Sequence, residues 1–203
     1  MNKQELIDFL LQNNILKTKS IINAFLEVDR KDFVLEENIS EAYNDYPLDI
    51  GFNQTISQPS TVAFMLELLQ PRQGERILDV GSGSGWTSAL LGHIVGKEGE
   101  VIGVEIIKDL VLFGRANLEK YESLNVKIYQ AGETLGFKEK APFDKILVSA
   151  GAKDIPEELI KQLKVQGVMV IPIFDSIFRI YKKSKRQLEK EKIPGFMFVP
   201  LIY

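Results

Sequence analysis

The 203-residue sequence contains no cysteine and only one histidine, His93. Without cysteine the chain can form no disulfide and offers no thiolate nucleophile, and zinc sites built from cysteine and histidine are excluded. A metal site made only of carboxylates would need clustered acidic residues, and no acidic cluster in the sequence has that spacing. We therefore predict a protein without disulfides and without a bound metal.

The sequence also lacks a long apolar run and an excess of basic residues. No apolar run is long enough to span a bilayer, and the N-terminal segment carries Lys3, Glu5 and Asp8 where a signal peptide is uninterrupted and apolar. The formal net charge is -3, whereas proteins that bind nucleic acid without sequence preference are more often basic. We expect a cytoplasmic protein that binds neither membranes nor nucleic acid, and we expect a monomer.

What is present is the composition of a globular protein with a core, with 45% hydrophobic and 26% charged residues. The length fits a single domain over residues 1–203. In residues 1–70, two short amphipathic helices precede the segment YNDYPLDIGFNQ, which its proline and glycine predict to be an irregular loop. A third helix follows, with Ser57 or Gln58 as the expected N-cap and Pro59 in the first turn.

Residues 71–203 show a different pattern, in which short apolar strands alternate with helices. The predicted strands are RILDV, EVIGVE, VKIYQA, FDKILVSA and VMVIPI. Strands that are apolar on both faces and alternate with helices indicate a parallel sheet covered on both sides. In the tail, FRIYKKS and GFMFVPLIY flank the charged segment KRQLEKEK, which we interpret as a solvated turn between two antiparallel strands at one edge of the sheet.

The segment DVGSGSGW follows a predicted strand and opens a predicted helix. Gly81, Gly83 and Gly85 allow a ligand to approach the backbone, and the helix N-terminus offers free N–H groups. A nucleotide cofactor is the natural occupant, and a tight turn without a ligand is the alternative. The dinucleotide fingerprint is not met, because Trp86 replaces its third glycine. A P-loop is excluded, because no lysine follows these glycines before Lys97.

Acidic residues stand on both sides of this turn. Asp79 lies two residues before the first glycine, and Glu105 ends the next strand, about twenty residues on, where a carboxylate can hold a ribose diol. An acid, three glycines and a later acid resemble the S-adenosylmethionine site of Rossmann-like methyltransferases. The residues expected to hold that cofactor here are Asp79, Gly81, Ser82, Gly83, Ser84, Gly85 and Glu105.

Four further segments occur in a characteristic order: PLDIGFNQTISQP, APFDKILVSAGA, IPEELIKQL and FVPL. With them the sequence resembles the protein-L-isoaspartate O-methyltransferases from about Arg30 to the C-terminus, and QTISQP is the most specific of the blocks. The resemblance implies a Rossmann-like class I methyltransferase fold, with a mostly parallel doubly wound sheet, an antiparallel C-terminal edge and a helical N-terminal extension that carries the substrate loop. It implies S-adenosylmethionine as methyl donor and S-adenosylhomocysteine as product.

The acceptor implied by the resemblance is the α-carboxylate of L-isoaspartyl residues in damaged proteins and peptides. The methylated residue can close to a succinimide and reopen partly as normal aspartate. Ser57 is the expected catalytic residue, whose hydroxyl donates to this carboxylate at a helix start, where backbone N–H groups favour negative charge. Ser57 can also be a simple N-cap, and the two roles are compatible. The remaining cofactor residues that the resemblance implies are Gln54, Thr55, Ile56, Ser57, Gly132, Glu133 and Thr134.

The sequence departs from the family pattern after the third strand of the sheet. The family usually has Gly-Asp-Gly there, and this chain has Gly132, Glu133 and Thr134. Glu133 keeps a carboxylate with a longer reach for the adenine amino group, whereas Thr134 lacks the freedom of glycine. Many relatives also continue beyond FVPL, so we expect the residues that close over the cofactor to be absent or different. Two alternatives remain open: a methyltransferase of this lineage acting on another carboxylate, and a catalytically inactive S-adenosylmethionine-binding module.

Overall fold

The structure is a computed structural model that describes residues 1–202, so Tyr203 lies outside it. Its α-helices are α1 (Lys3–Gln12), α2 (Lys19–Glu27), α3 (Pro59–Leu69), α4 (Trp86–Val95), α5 (Lys108–Leu118) and α6 (Glu157–Gln162). Its strands are β1 (Leu48–Asp49), β2 (Thr55–Ile56), β3 (Arg76–Val80), β4 (Glu100–Glu105), β5 (Val126–Gln130), β6 (Phe143–Val148), β7 (Leu163–Ile173), β8 (Ser176–Lys182) and β9 (Leu188–Pro194). Within residues 1–202, no helix is long and apolar enough to cross a membrane.

Seven strands form one sheet in the order β5-β4-β3-β6-β7-β8-β9. Strands β3 to β7 are parallel, and β8 and β9 are antiparallel to their neighbours. Successive residues of a strand face opposite sides: Leu78, Ile102 and Ile146 pack into one core, and Ile77 and Val101 into the other. The prediction of a mostly parallel, doubly wound sheet with an antiparallel C-terminal edge is confirmed.

The N-terminal helices cover one face of this sheet. Helix α2 packs against α4, and α3 packs against β6 and β7. The rings of Phe25 and Trp86 meet edge to face, with their centroids 5.6 Å apart. The apolar side of α3, including Val62, Leu66 and Leu69, is buried in the same core. The apolar half of this helix therefore anchors the polar segment that precedes it.

The segment predicted as an irregular loop, residues 43–54, contains part of a small hairpin. Strand β1 pairs with β2 in antiparallel register, with Leu48 opposite Ile56. Gly51, Phe52 and Asn53 at the tip all have positive φ, at 87°, 56° and 57°. Such a conformation is uncommon for a phenylalanine, and for that reason the sequence pattern did not reveal the hairpin.

The prediction for the tail is wrong in its pairing. The charged segment LEKEKIP forms β9 and pairs along the whole of β8, with Ser176 opposite Pro194 and Lys182 opposite Leu188. This strand lies at the sheet edge and is mostly exposed, so its charges remain in water, as is common for edge strands. The apolar segment that we predicted as the strand instead crosses back over the sheet. There, Gly151 donates to the carbonyl of Val199 at 2.8 Å.

Hydrogen bonds to a tyrosine connect the N-terminal extension to the sheet layer. The hydroxyl of Tyr121, after α5, donates to the Asp32 carboxylate at 2.9 Å and accepts from the backbone N–H of Asp29 at 2.8 Å. Its ring stacks on Phe33, with the centroids 5.5 Å apart. The hydroxyl therefore links residues that are about ninety positions apart in the chain.

We expect Tyr121→Phe to lower the free energy of unfolding by about 1–3 kcal/mol, because it removes a partner from a carboxylate and from a backbone amide. Chemical denaturation measures this. Tyr129→Phe is the matched control, since that ring packs at a tilt against Phe137 and its hydroxyl forms no hydrogen bond within residues 1–202. Equal losses in the two variants would show that the Tyr121 hydroxyl does not connect the layers.

Candidate active site

A cleft opens at the carboxyl ends of β3, β4 and β6. Strand β3 lies between β4 and β6, so the crossovers diverge at this point, where ligands bind in doubly wound sheets. We call this space the main cleft. Apolar residues and a few polar groups line it together, as is usual for small-molecule sites. Its walls include Ile50, Gln54, Thr55, Gly81, Gly83, Glu105, Ile106, Leu110, Gly132, Thr134, Leu135, Ser149 and residues 199–202.

The glycine turn forms one wall of the main cleft. Backbone N–H groups of Gly81 and Ser82 donate to the carbonyl of Val104 at 2.8 and 3.1 Å, which joins the turn to the end of β4. Gly85 is the N-cap of α4 and has φ of 88°, a conformation that favours glycine. A β-carbon there would lie 3.2 Å from the carbonyl oxygen of Gly114. Gly85 is therefore required for the packing of the turn on α5, and it does not line the cleft.

Glu105 lines the main cleft and also holds the glycine turn. Its Oε2 accepts from the backbone N–H of Gly83 at 3.0 Å, and its Oε1 accepts from that of Ile107 at 2.9 Å. The side chain is nearly buried. Each carboxylate oxygen can accept more than one hydrogen bond, so both retain capacity for hydroxyls of a ligand. This is the placement expected for a residue that binds a ribose.

Asp79 lies behind the turn and does not line the cleft. It is completely buried and accepts from the hydroxyl of Ser88 at 2.6 Å and from that of Ser149 at 3.3 Å. Burial raises the pKa of this carboxyl to about 6, the two serine hydroxyls oppose that rise, and the charge of Glu105 adds to it. Of the two predicted acids, Glu105 therefore faces the cleft and Asp79 supports its floor.

Ser57 lies beside the main cleft, in a neighbouring depression that we call the side groove. The side groove is lined by Pro47, Thr55, Ser57, Gln58, Thr61, Ser149 and residues 197–199. Thr55, Ser149 and Val199 line both spaces and therefore form the boundary between them. A third, smaller space, the polar cavity, extends beneath this boundary and is lined by Thr55, Ile56, Ser57, residues 81–84, Trp86, Thr87 and Ser149.

The interpretation of Ser57 as a simple N-cap is not what the geometry shows. The N-cap of α3 is Gln58, whose side chain makes no capping hydrogen bond. The Asp45 carboxylate caps this helix instead, by accepting from the backbone N–H of Ser60 at 2.8 Å. The hydroxyl of Ser57 is therefore not engaged in capping.

The predicted residues after β5 divide between the cleft and the surface. Gly132 and Thr134 line the main cleft, whereas Glu133 is exposed and is not among the lining residues. Sequence reasoning missed Ser149, which lines all three spaces. The available signal was its position at the carboxyl end of β6, next to β3 in the sheet, where ligand-binding residues gather.

The sheet, the glycine turn and the acid at the end of β4 together define a class I S-adenosylmethionine-dependent methyltransferase. The chain belongs to one family within that class. The family model described as Protein-L-isoaspartate(D-aspartate) O-methyltransferase (PCMT) matches residues 1–203. The resemblance found in the sequence is thereby confirmed.

Individual relatives agree with this membership. The chain is 42% identical to the protein-L-isoaspartate O-methyltransferase of Pyrobaculum islandicum, over 97% of both chains. It is 41% identical to that of Methanopyrus kandleri, over 98% of this chain and 91% of the relative. A crystal structure of the PCMT from Plasmodium falciparum, in complex with S-adenosyl-L-homocysteine, superposes with a TM-score of 0.87 at 30% identity. That match covers 100% of this chain and 99% of the other.

We expect Glu105→Ala to weaken S-adenosylhomocysteine binding by about 1–3 kcal/mol, because the cleft loses a charged acceptor and the turn loses the bond to Gly83. Calorimetric titration measures this. Glu100→Ala is the matched control, since Glu100 begins the same strand and pairs with Arg76 and Lys140 at the opposite end. Unchanged affinity in Glu105→Ala would remove Glu105 from the cofactor site.

A second expectation follows from the raised pKa of Asp79. The carboxyl group of Asp79 has a pKa of about 6 in the folded protein, whereas its pKa in the unfolded chain is near 3.8. The ionised, buried carboxylate therefore destabilises the fold fully above pH 6, and this cost disappears as the pH falls toward 4. We expect Asp79→Asn to be more stable than the wild type by about 2–3 kcal/mol at pH 8 and by less than about 1 kcal/mol at pH 4.

Denaturation of both proteins at each pH gives this difference directly, because all other titrating groups are shared. A stability difference that does not change with pH would mean that Asp79 does not titrate in this range.

Proposed function

We propose that this chain repairs damaged proteins by moving a methyl group from S-adenosylmethionine to the α-carboxylate of L-isoaspartyl residues. Family membership supports this activity. The observation that carries it is the boundary formed by Thr55, Ser149 and Val199, on one side of which lies the main cleft and on the other the side groove with Ser57. Donor and acceptor can therefore meet across this boundary.

The residues of the main cleft fit the cofactor. Its apolar walls at Ile106, Leu110 and Leu135 suit a flat heterocycle, and Glu105 can accept from ribose hydroxyls. When bound there, S-adenosylmethionine supplies an electrophilic methyl group on its sulfonium. We propose that the predicted residues that line the cleft, Gln54, Thr55, Gly81, Gly83, Gly132 and Thr134, hold it from two opposite sides. Ile56, Asp79, Ser82, Ser84 and Gly85 act through the backbone segments that carry these residues.

The acceptor needs no general base. A carboxyl group with a pKa of about 4 is already ionised at neutral pH. The chain therefore has only to orient this carboxylate and exclude water. We propose that the Ser57 hydroxyl, which takes no part in capping α3, donates to it. This role is consistent with a site that contains neither cysteine nor histidine.

The shape of the side groove favours a polypeptide as acceptor. The groove is open to solvent and is bordered by Met197, which is 94% exposed. A groove of this kind can hold a chain on both sides of the methylated residue. Two alternatives are a methyltransferase that acts on another carboxylate and an inactive cofactor-binding module. One assay distinguishes them from our proposal: it measures methylation of an isoaspartyl peptide and, in parallel, the binding of S-adenosylhomocysteine.

We further propose that residues 1–203 form a single domain and that the protein acts in the cytoplasm as a monomer, without nucleic-acid or membrane partners. Contacts between the N-terminal helices and the sheet support the first point. Sedimentation at working concentration tests the second.

We expect Ser57→Ala to leave S-adenosylmethionine binding nearly unchanged and to lower methyl transfer to an isoaspartyl peptide by roughly ten- to a thousandfold, the effect of losing one positioned donor. A structural role would instead lower the melting temperature while turnover per folded molecule is preserved. Both quantities are measured on the same variant.

The matched control is Ser60→Ala, because Ser60 lies in the first turn of the same helix and does not line the side groove. Normal turnover in folded Ser57→Ala would remove Ser57 from the mechanism. A peptide carrying normal aspartate is the second control. If it is methylated at a comparable rate, the acceptor assignment is wrong, whatever the role of Ser57.

A further inference from the structure

A buried arginine lies directly behind the acceptor site. Arg30, at the start of the 3₁₀-helix Arg30–Phe33, is only 2% exposed. Its guanidinium donates to the backbone carbonyls of Ala42 at 2.5 Å, Tyr46 at 3.2 Å and Ser57 at 3.1 Å. The same group lies over the ring of Trp86, 5.3 Å from its centroid. Arg30 thus connects the substrate loop, the Ser57 segment and helix α4.

The charge of Arg30 is not neutralised by an ion pair. Within residues 1–202 no carboxylate lies within 4.0 Å of it, and its Nε has no hydrogen-bond partner. The acid that acts on its charge, Asp45, is already bound to Gln58 at 3.1 Å and to the backbone of Ser60 at 2.8 Å. Burying a cation in this way is costly, and a stabilising role alone does not account for it.

Two more unpaired polar atoms border the same region. The side-chain nitrogen of Trp86 and the hydroxyl of Ser82 are buried without a hydrogen-bond partner in the described residues, and with Arg30 Nε they are the three such atoms in residues 1–202. Trp86 and Ser82 both line the polar cavity, together with Ser57. The region around the Ser57 segment therefore contains a buried positive charge and two unpaired polar groups, and its one acid, Asp45, is already bound by Gln58 and Ser60. This balance suits an anion.

We propose that Arg30 is a positioning residue that gives the acceptor site its preference for an ionised carboxylate. It holds the Ser57 carbonyl, and through this fixed contact its positive charge lies behind the hydroxyl that meets the acceptor. The inference rests on the proposed function and identifies a determinant of acceptor charge. Since the guanidinium is buried, salt screens it little.

The two ways in which Arg30 can act give different results. An electrostatic action favours an anion and has little effect on a neutral ligand of the same shape. A purely structural action, through the three carbonyls, alters the binding of both ligands equally. The probes are an isoaspartyl peptide and the same peptide with its α-carboxylate replaced by a carboxamide.

The experiment measures both dissociation constants with S-adenosylhomocysteine at saturation, so that changes in cofactor affinity do not contribute. The wild type should bind the acid more tightly than the amide. Arg30→Met keeps the length of the side chain and removes the charge. We expect it to reduce the acid-over-amide preference by about tenfold, the effect of a unit charge acting across several ångströms at an effective dielectric constant of about 20. Affinity for the amide should change by less than about twofold.

An equal loss for both peptides, or no loss for the acid, would overturn the proposal. If Arg30→Met does not fold, Asp45→Asn provides the second test, because Asp45 offsets the charge of Arg30. This variant should increase the acid-over-amide preference, and an unchanged preference would overturn the proposal as well. Failure of the proposed function is a separate result: the wild type would then neither bind nor methylate the isoaspartyl peptide.

Discussion

The bond between the Glu105 carboxylate and the backbone N–H of Gly83 connects the two parts of the cofactor site. Glu105 ends β4, and Gly83 lies in the turn that follows β3, so one side chain joins the ends of neighbouring parallel strands. A glycine turn alone is flexible, and its N–H groups could point in many directions. With Glu105 bonded to it, the turn becomes one fixed wall of the main cleft, and the same carboxylate still faces the ligand.

This fold keeps two buried charges close to its site at a cost in stability. Asp79 lies beneath the turn and, with a pKa of about 6, is ionised at neutral pH. Arg30 is a cation behind Ser57. Neither forms an ion pair in residues 1–202. Negative charge thus lies beneath the glycine turn, and positive charge lies behind the Ser57 segment. The two buried charges are opposite in sign, as are the sulfonium donor and the carboxylate acceptor that we propose for this site.

The sequence predicted the sheet well because buried parallel strands and glycine turns have strong local patterns. RILDV and EVIGVE match β3 and β4 residue for residue. It failed for β9, because an edge strand can consist of solvated charges and therefore does not have the apolar pattern of a strand. The site was predictable where a motif lines the cleft, as at Glu105. The site was less predictable where the burial of a side chain determines its role. Spacing along the chain cannot show that Asp79 lies behind the turn or that Ser149 lies beside it.

The side groove, where we propose that the acceptor binds, is lined mainly by the N-terminal extension and by residues 197–199. Thr55 lies in β2 and Ser57 between β2 and α3, and Ser149, which follows β6, lines the same groove. Because α3 is anchored through its buried apolar face, the polar residues before it are held against the main cleft without a covalent or metal link. A cofactor-binding sheet can thus gain a binding site for an acceptor from a layer of helices added to it. The charge of the acceptor that this site prefers then depends on the residue buried behind the layer, which here is Arg30.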